Sequence, residues 1–154
     1  MSDRSPATPG AAALVDPLPH ALPDEPNARL ALFAIRRLGA HGLNDALAAH
    51  CFMTTFGEGF RRPLMLMRAF MHELAGAATH PITIAPCCCA RATPSEAALV
   101  TVLARAATAP GSARLLLVDQ LGTRAAEGVL ACATALAAAF ADAGRPIGRG
   151  AAAR

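Results

Sequence analysis

Alanine is the feature that most restricts the fold of this chain, because it makes up about a quarter of the 154 residues. It has the highest helix propensity of all residues. Apolar residues recur at helical spacing along most of the sequence, and glycine and proline separate these stretches. Hydrophobic residues reach 54% and charged residues only 16%, which excludes disorder of the whole chain. We therefore predict an all-α protein, a bundle of five or six short helices.

Capping residues, prolines at first helical positions and glycines after last turns place these helices. The predicted helices run from about Asp24 to Leu38, Asn44 to Phe56, Pro63 to Ala78, Thr93 to Ala109, Ser112 to Leu121 and Thr123 to Gly144. The start of the fourth helix carries the strongest signal, because Thr93 and Glu96 have the spacing of a capping box around Pro94.

The length of the chain fits one domain. Residues 1–22 hold four prolines without periodicity and are predicted to be a disordered tail. Residues 23–146 are the predicted helical domain, and 147–154 a flexible tail. The most apolar helical stretch, 128–141, is shorter than the roughly 18–20 residues that cross a bilayer, so we expect no membrane span. The N-terminus has no signal-peptide core, which predicts a cytoplasmic protein whose cysteines are reduced.

The charge pattern and the missing motifs narrow the function further. The net charge is +3 and all 14 basic residues are arginines, interspersed with acids. The second predicted helix lacks side chains that read base edges, so nucleic-acid binding is not expected. Arg36 and Arg37 are interpreted as the solvated end of a core helix. No phosphate loop, dinucleotide fingerprint or Ser-His-Asp pattern is present, and we expect a protein that is not an enzyme.

Three consecutive cysteines, Cys87, Cys88 and Cys89, follow Pro86 between the third and fourth predicted helices. Two prolines forbid a helix there, and Ile-Thr-Ile favours an extended connection in which the first and third thiols share a side. Two thiolates so close can hold a soft ion. The start of the next helix and Arg91 favour the thiolate form.

We therefore predict a metal site formed by Cys87, Cys88, Cys89 and His80, with zinc as the default ion. An iron–sulfur centre and a redox-responsive thiol are variants of this hypothesis. No standard ligand pair, such as C-x₂-C or H-x₃-H, supports a particular metal.

Two alternatives stay open. Free cysteine behaves as a small hydrophobe, so the triplet could pack inertly in a structural bundle that associates with itself or with a protein partner through its apolar surplus. Cys51 and Cys132 are expected to pack in the core. A thiol enzyme is the third hypothesis, and it would need a base near a cysteine.

Several segments resemble a small bacterial family of uncharacterised proteins. They are Pro19–Asp24, Phe33–Arg37, Gly42–Ala46, Arg62–Leu64, Ala85–Cys89 and Gly144–Pro146. The resemblance covers residues 19–148, and its most specific part is Pro-Cys-Cys-Cys. No established activity is known for that family, so the resemblance implies no catalytic residues.

Overall fold

The computed structural model describes residues 18–148. Over this range the protein has six α-helices: α1 Pro26–His41, α2 Ala46–Phe56, α3 Arg61–Ala77, α4 Pro94–Arg105, α5 Pro110–Leu121 and α6 Glu127–Asp142. A 3₁₀ helix, Gly57–Phe60, joins α2 to α3, and two short strands, β1 His20–Ala21 and β2 Arg91–Ala92, pair antiparallel. The all-α prediction is confirmed.

The predicted start of the fourth helix is confirmed by its hydrogen bonds. The Thr93 side-chain oxygen accepts from the Glu96 amide at 3.0 Å, and the Glu96 carboxylate accepts from the Thr93 amide at 2.9 Å. The first helix is capped one residue later than predicted, because Glu25 rather than Asp24 accepts the free amides of its first turn. Local signals thus place these two helix starts to within a residue.

The predicted starts of the last two helices are wrong. Pro110 occupies the first turn of α5, so Ser112 lies inside the helix and does not cap it, and α4 ends at Arg105 instead of at the predicted Ala109. α6 begins at Glu127 after Ala126, four residues beyond the predicted cap Thr123. Proline fits a first helical turn as well as it stops a preceding helix, which explains the error at α5.

The core lies where α3 packs along α6 and where α4 packs along α5. Three phenyl rings close one end of it: Phe140 lies edge-on to Phe52 and Phe56, with ring centroids 6.0 and 4.9 Å apart. Elsewhere the buried positions are mainly leucine and alanine.

The described fold extends past both predicted domain boundaries. His20 and Ala21, placed in the predicted tail 1–22, pair with Ala92 and Arg91. At the other end, Ile147 is buried and the Gly148 amide donates to the Glu25 carboxylate at 3.2 Å. The rest of the predicted tails, 1–17 and 149–154, lies outside the described residues. Among the described helices, none combines the length and apolar character that crossing a bilayer requires.

Candidate functional site

The three cysteines lie on a β-turn, Pro86–Cys89, which we name the cysteine turn. The Cys89 amide donates to the Pro86 carbonyl at 3.0 Å, which closes the turn. Cys87 and Cys88 are exposed and Cys89 is half-buried. The prediction of a fully extended connection is therefore wrong at these residues.

One carboxylate explains why the chain reverses here. Glu96 is completely buried, and its two oxygens accept hydrogen bonds from the Ala85 amide at 2.8 Å and the Thr93 amide at 2.9 Å. These amides flank the cysteine turn on both sides. Because a single side chain holds both ends, the segment between them has to fold back on itself.

The same carboxylate forms a buried ion pair with Arg36 of α1. The Arg36 Nε and Nη2 atoms donate to the Glu96 oxygens at 2.9 and 3.0 Å, and Arg36 is only 4% exposed. The hydrogen bond to Glu96 is the main cause that raises the pKa of Arg36, while burial acts in the opposite direction. The interpretation of Arg36 as a solvated helix end is therefore wrong.

Arg36 also binds the backbone of the cysteine turn and of β2 directly. Its Nη1 donates to the Cys89 carbonyl at 2.9 Å and its Nη2 to the Arg91 carbonyl at 2.8 Å. The negative charges of Cys89 and Cys87 add, as smaller causes, to the raised pKa of Arg36. One guanidinium therefore ties α1, α4 and the cysteine turn together and lies near two of the thiols.

A second guanidinium, that of Arg37, lines the same cavity as Cys87. Arg37 pairs with Asp45, its Nε donating at 3.0 Å and its Nη2 at 2.6 Å. These bonds are the first cause that raises the pKa of Arg37 and lowers that of Asp45 to about 2. Cys87 is a further, smaller cause of the raised pKa of Arg37. Arg37, His41 and Cys87 line a common cavity of about 380 Å³.

His80, the fourth predicted ligand, lies at the end of α5 instead of at the thiols. A Cβ atom on Gly122 would lie 2.9 Å from its Cδ2 atom, and the neighbouring Thr79 amide donates to the Leu121 carbonyl at 2.9 Å. Between residues 18 and 148, no three His, Cys, Asp or Glu side chains are grouped so that they could hold a metal ion. Cys87, Cys88, Cys89 and His80 are thus not assembled into a ligand set in this arrangement.

The two remaining cysteines differ from the triplet. Cys132 packs against the core, and burial raises the pKa of its thiol, with Glu73 as a smaller cause. Both residues are half-buried, and the expectation of core packing is confirmed for Cys132. Neither has the paired-arginine surroundings of the cysteine turn.

The sequence interpretation missed three residues of this site: Arg36, Arg37 and Glu96. The Arg37 side chain is only 17% exposed and pairs with Asp45, so its interpretation as a solvated helix end is wrong as well. One signal was available for Arg36, since it follows the buried Leu32 by four residues and therefore shares its face of the helix. Glu96 was identified as a cap, which implies contact with backbone amides but not complete burial. Their pairing across 60 residues has no local sequence signal.

The fold and site define a class of protein: a small all-α bundle with a surface turn of three cysteines held by a buried Arg–Glu pair. Residues 12–152 match the family of unknown function DUF6628, and the chain belongs to that family. The predicted resemblance to a family of uncharacterised proteins is confirmed to this extent. Its bacterial distribution and its Pro-Cys-Cys-Cys motif stay predictions. Searches of curated proteins and of solved structures find no match.

Proposed function

We propose that this protein is a cytoplasmic thiol sensor in which Cys87 is the reacting group, with Cys88 and Cys89 beside it. The observation that carries the proposal is the exposure of Cys87 and Cys88 on a turn that a fully buried carboxylate holds in place. Free cysteine is among the most frequently buried residue types. Packing alone gives no reason to hold two thiols rigidly at the surface.

The electrostatic surroundings support a nucleophilic role. The thiolate is the reactive form of cysteine, and nearby cations favour it. Arg36 binds the Cys89 carbonyl of the turn, Arg37 lines the cavity that contains Cys87, and the N-terminus of α4 follows a few residues later. The partial positive charge at a helix N-terminus acts in the same direction.

The contacts of Cys89 suggest how a reaction at the turn is transmitted. Its carbonyl accepts from Arg36, which in turn binds Glu96 of α4. A group added to Cys87 changes the conformation of the turn and therefore strains this hydrogen bond. The buried pair then passes the change to two helices, α1 and α4.

Metal binding by Cys87, Cys88, Cys89 and His80 is the second candidate, with zinc as the ion. The three adjacent sulfur atoms favour it, because thiolates are strong zinc ligands. Since the described residues contain no ready ligand group, this function requires His80 to move or a second chain to supply ligands. A homo-oligomer would provide such a chain.

A bundle that acts by association alone is the third candidate. Four large apolar side chains, Leu47, Met53, Met65 and Leu115, are 49–69% exposed. They would suit a protein partner or a second copy. In this case the cysteines have no chemical role.

Alkylation of the folded protein separates these candidates. We would treat it with iodoacetamide, with and without a chelator, and follow each cysteine by peptide mass. The thiol sensor predicts fast modification of Cys87 under both conditions, with Cys132 as a slow internal reference. Protection that the chelator removes would indicate the metal site. If Cys87 reacts no faster than Cys132, the association function is favoured and the sensor is refuted.

A further inference from the structure

We propose that a groove leading to Cys87 binds an apolar α,β-unsaturated carbonyl compound and presents its β-carbon to the thiol. This inference deepens the proposed function and rests on it, because it names the class of compound that the sensor detects.

Two adjoining cavities form the groove. The larger is about 570 Å³ and is lined mainly by apolar side chains of α3 and of the segment that follows it, including Met71, Leu74, Ile82 and Ile84. The smaller, about 380 Å³, contains Cys87. Gly39, Ile82 and Ile84 line both. Volumes of this size are typical of small-molecule sites, which span roughly 300–1,000 Å³.

Gly39 of α1 allows the two cavities to adjoin. A Cβ atom at this position would lie 2.8 Å from the Ile84 Cδ1 atom. The absence of a side chain therefore lets Ile84 lie against the helix and form part of both walls. The larger cavity, beside α3, and the smaller cavity, at Cys87, share this contact in their linings, and the two together are what we call the groove.

The two ends of the groove differ in chemistry. At the far end, the polar side chains in the lining are Thr79 and His80, and the remaining lining is apolar. At the near end, Arg37 and His41 accompany Cys87. A matching ligand therefore has a hydrocarbon body and a polar, electrophilic head. The hydrocarbon gains free energy by leaving water, in proportion to its buried area.

An unsaturated carbonyl fits the near end without a further reactant. The Cys87 thiolate forms a sulfur–carbon bond to the β-carbon, and the electron pair of the carbon–carbon double bond moves to give an enolate. The enolate takes one proton from water, and no group leaves. The Arg37 Nη1 atom, which takes no part in the pair with Asp45, can donate to the oxygen that gains charge.

The test is a series of 2-alkenals of increasing chain length: but-2-enal, hex-2-enal and non-2-enal. The rate of adduct formation at Cys87 is measured by mass and divided by the rate of the same aldehyde with a free small thiol. The chain contains no lysine, so side-chain amines do not compete. We expect the normalised rate to rise about threefold to fourfold for each methylene that the groove buries.

Ala75→Trp tests the position of the groove. Ala75 lines the larger cavity but is exposed, so tryptophan fills the groove from the surface without entering the core. We expect A75W to lose the dependence on chain length and to keep the iodoacetamide rate of Cys87. The matched control is Ala131→Trp, at an exposed position of α6 outside the groove, and it should retain the dependence.

The outcomes separate this inference from the proposed function. A fast iodoacetamide reaction with no dependence on chain length in the native protein overturns the groove alone. Equal chain-length dependence in A75W and A131W also overturns the groove and leaves the proposed function standing. A Cys87 that does not react with iodoacetamide overturns both proposals. If A75W does not fold, the series on the native protein decides the question by itself.

Discussion

Replacing Glu96 by glutamine is the perturbation that probes the fold around the cysteine turn most sharply. The carboxylate is fully buried and accepts four hydrogen bonds, two from Arg36 and two from the backbone amides of Ala85 and Thr93. An amide has the same shape but only one acceptor oxygen. Its NH₂ group would face two donors, and the buried charge of Arg36 would lose its partner.

Removing one partner of a buried ion pair lowers the free energy of unfolding by about 3–5 kcal/mol. A domain of this kind has a total stability of about 5–15 kcal/mol. With a urea dependence of about 2 kcal/mol per molar, a loss of about 4 kcal/mol lowers the unfolding midpoint by about 2 M. We therefore expect E96Q to be folded but far less stable than the native protein.

Circular dichroism at 222 nm is the appropriate signal, because the chain has neither tryptophan nor tyrosine to report by fluorescence. The matched control is Glu127→Gln, which breaks the exposed pair with Arg114. Exposed pairs contribute little, so E127Q should leave the midpoint almost unchanged. If E96Q and E127Q shift the unfolding midpoint by similar small amounts, the buried pair of Arg36 and Glu96 does not stabilise the fold as we expect.

Three further predictions concern other positions. Because Arg37 lowers the folded pKa of Asp45 to about 2 from 3.8, its ionised form stabilises the protein above about pH 4, and this contribution is lost as the pH falls through 2. Urea unfolding should show D45N clearly less stable than the native protein at pH 7, with most of that difference gone at pH 2. Gly122→Ala should destabilise the protein by about 1–3 kcal/mol more than Gly144→Ala. Both glycines have φ near +70°. A Cβ atom at 122 would lie 2.5 Å from the side-chain oxygen of Thr79, whereas one at 144 would meet nothing within 4 Å. Equal losses in thermal unfolding would contradict this steric argument. Thr93→Ala removes the cap of α4 and should cost about 1–2 kcal/mol, whereas Thr93→Ser should restore most of it.

The parts of the fold that were predictable depend on local interactions. The Thr93 and Glu96 pair follows from spacing within one helical turn, and it is present with both of its hydrogen bonds. The start of α6 was not predictable in this way. Thr123 has the side chain of a good cap, but the helix begins four residues later without a side-chain cap.

The candidate site was predictable in composition but not in geometry. Cys87 and its neighbours carry an evident chemical signal, and they form the centre of the proposed site. The turn they adopt depends on Glu96 binding amides on both of its sides. That carboxylate is buried only because Arg36 packs beside it from a helix 60 residues earlier. Residue spacing within the cysteine segment contains no information about either partner.

The position of His80 also depends on a contact with a residue that is far away in the sequence. Its position seven residues before Cys87 suggested a common ligand set, on the assumption of a single extended segment. The segment instead attaches to α5, where the Thr79 amide and hydroxyl donate to the Leu121 carbonyl at 2.9 and 2.8 Å. Gly122 leaves the space in which the imidazole lies. A contact between distant helices therefore separates two residues that are close in sequence.

In the proposed sensor, the folded turn makes Cys87 a better nucleophile than an ordinary cysteine. The most direct test is the iodoacetamide rate constant of Cys87 at pH 7 in the folded protein, divided by its value in the urea-unfolded chain. Folding ties Arg36 to the carbonyl of Cys89 and brings Arg37 into the cavity that contains Cys87, so we predict a ratio well above one. A ratio at or below one would contradict the account.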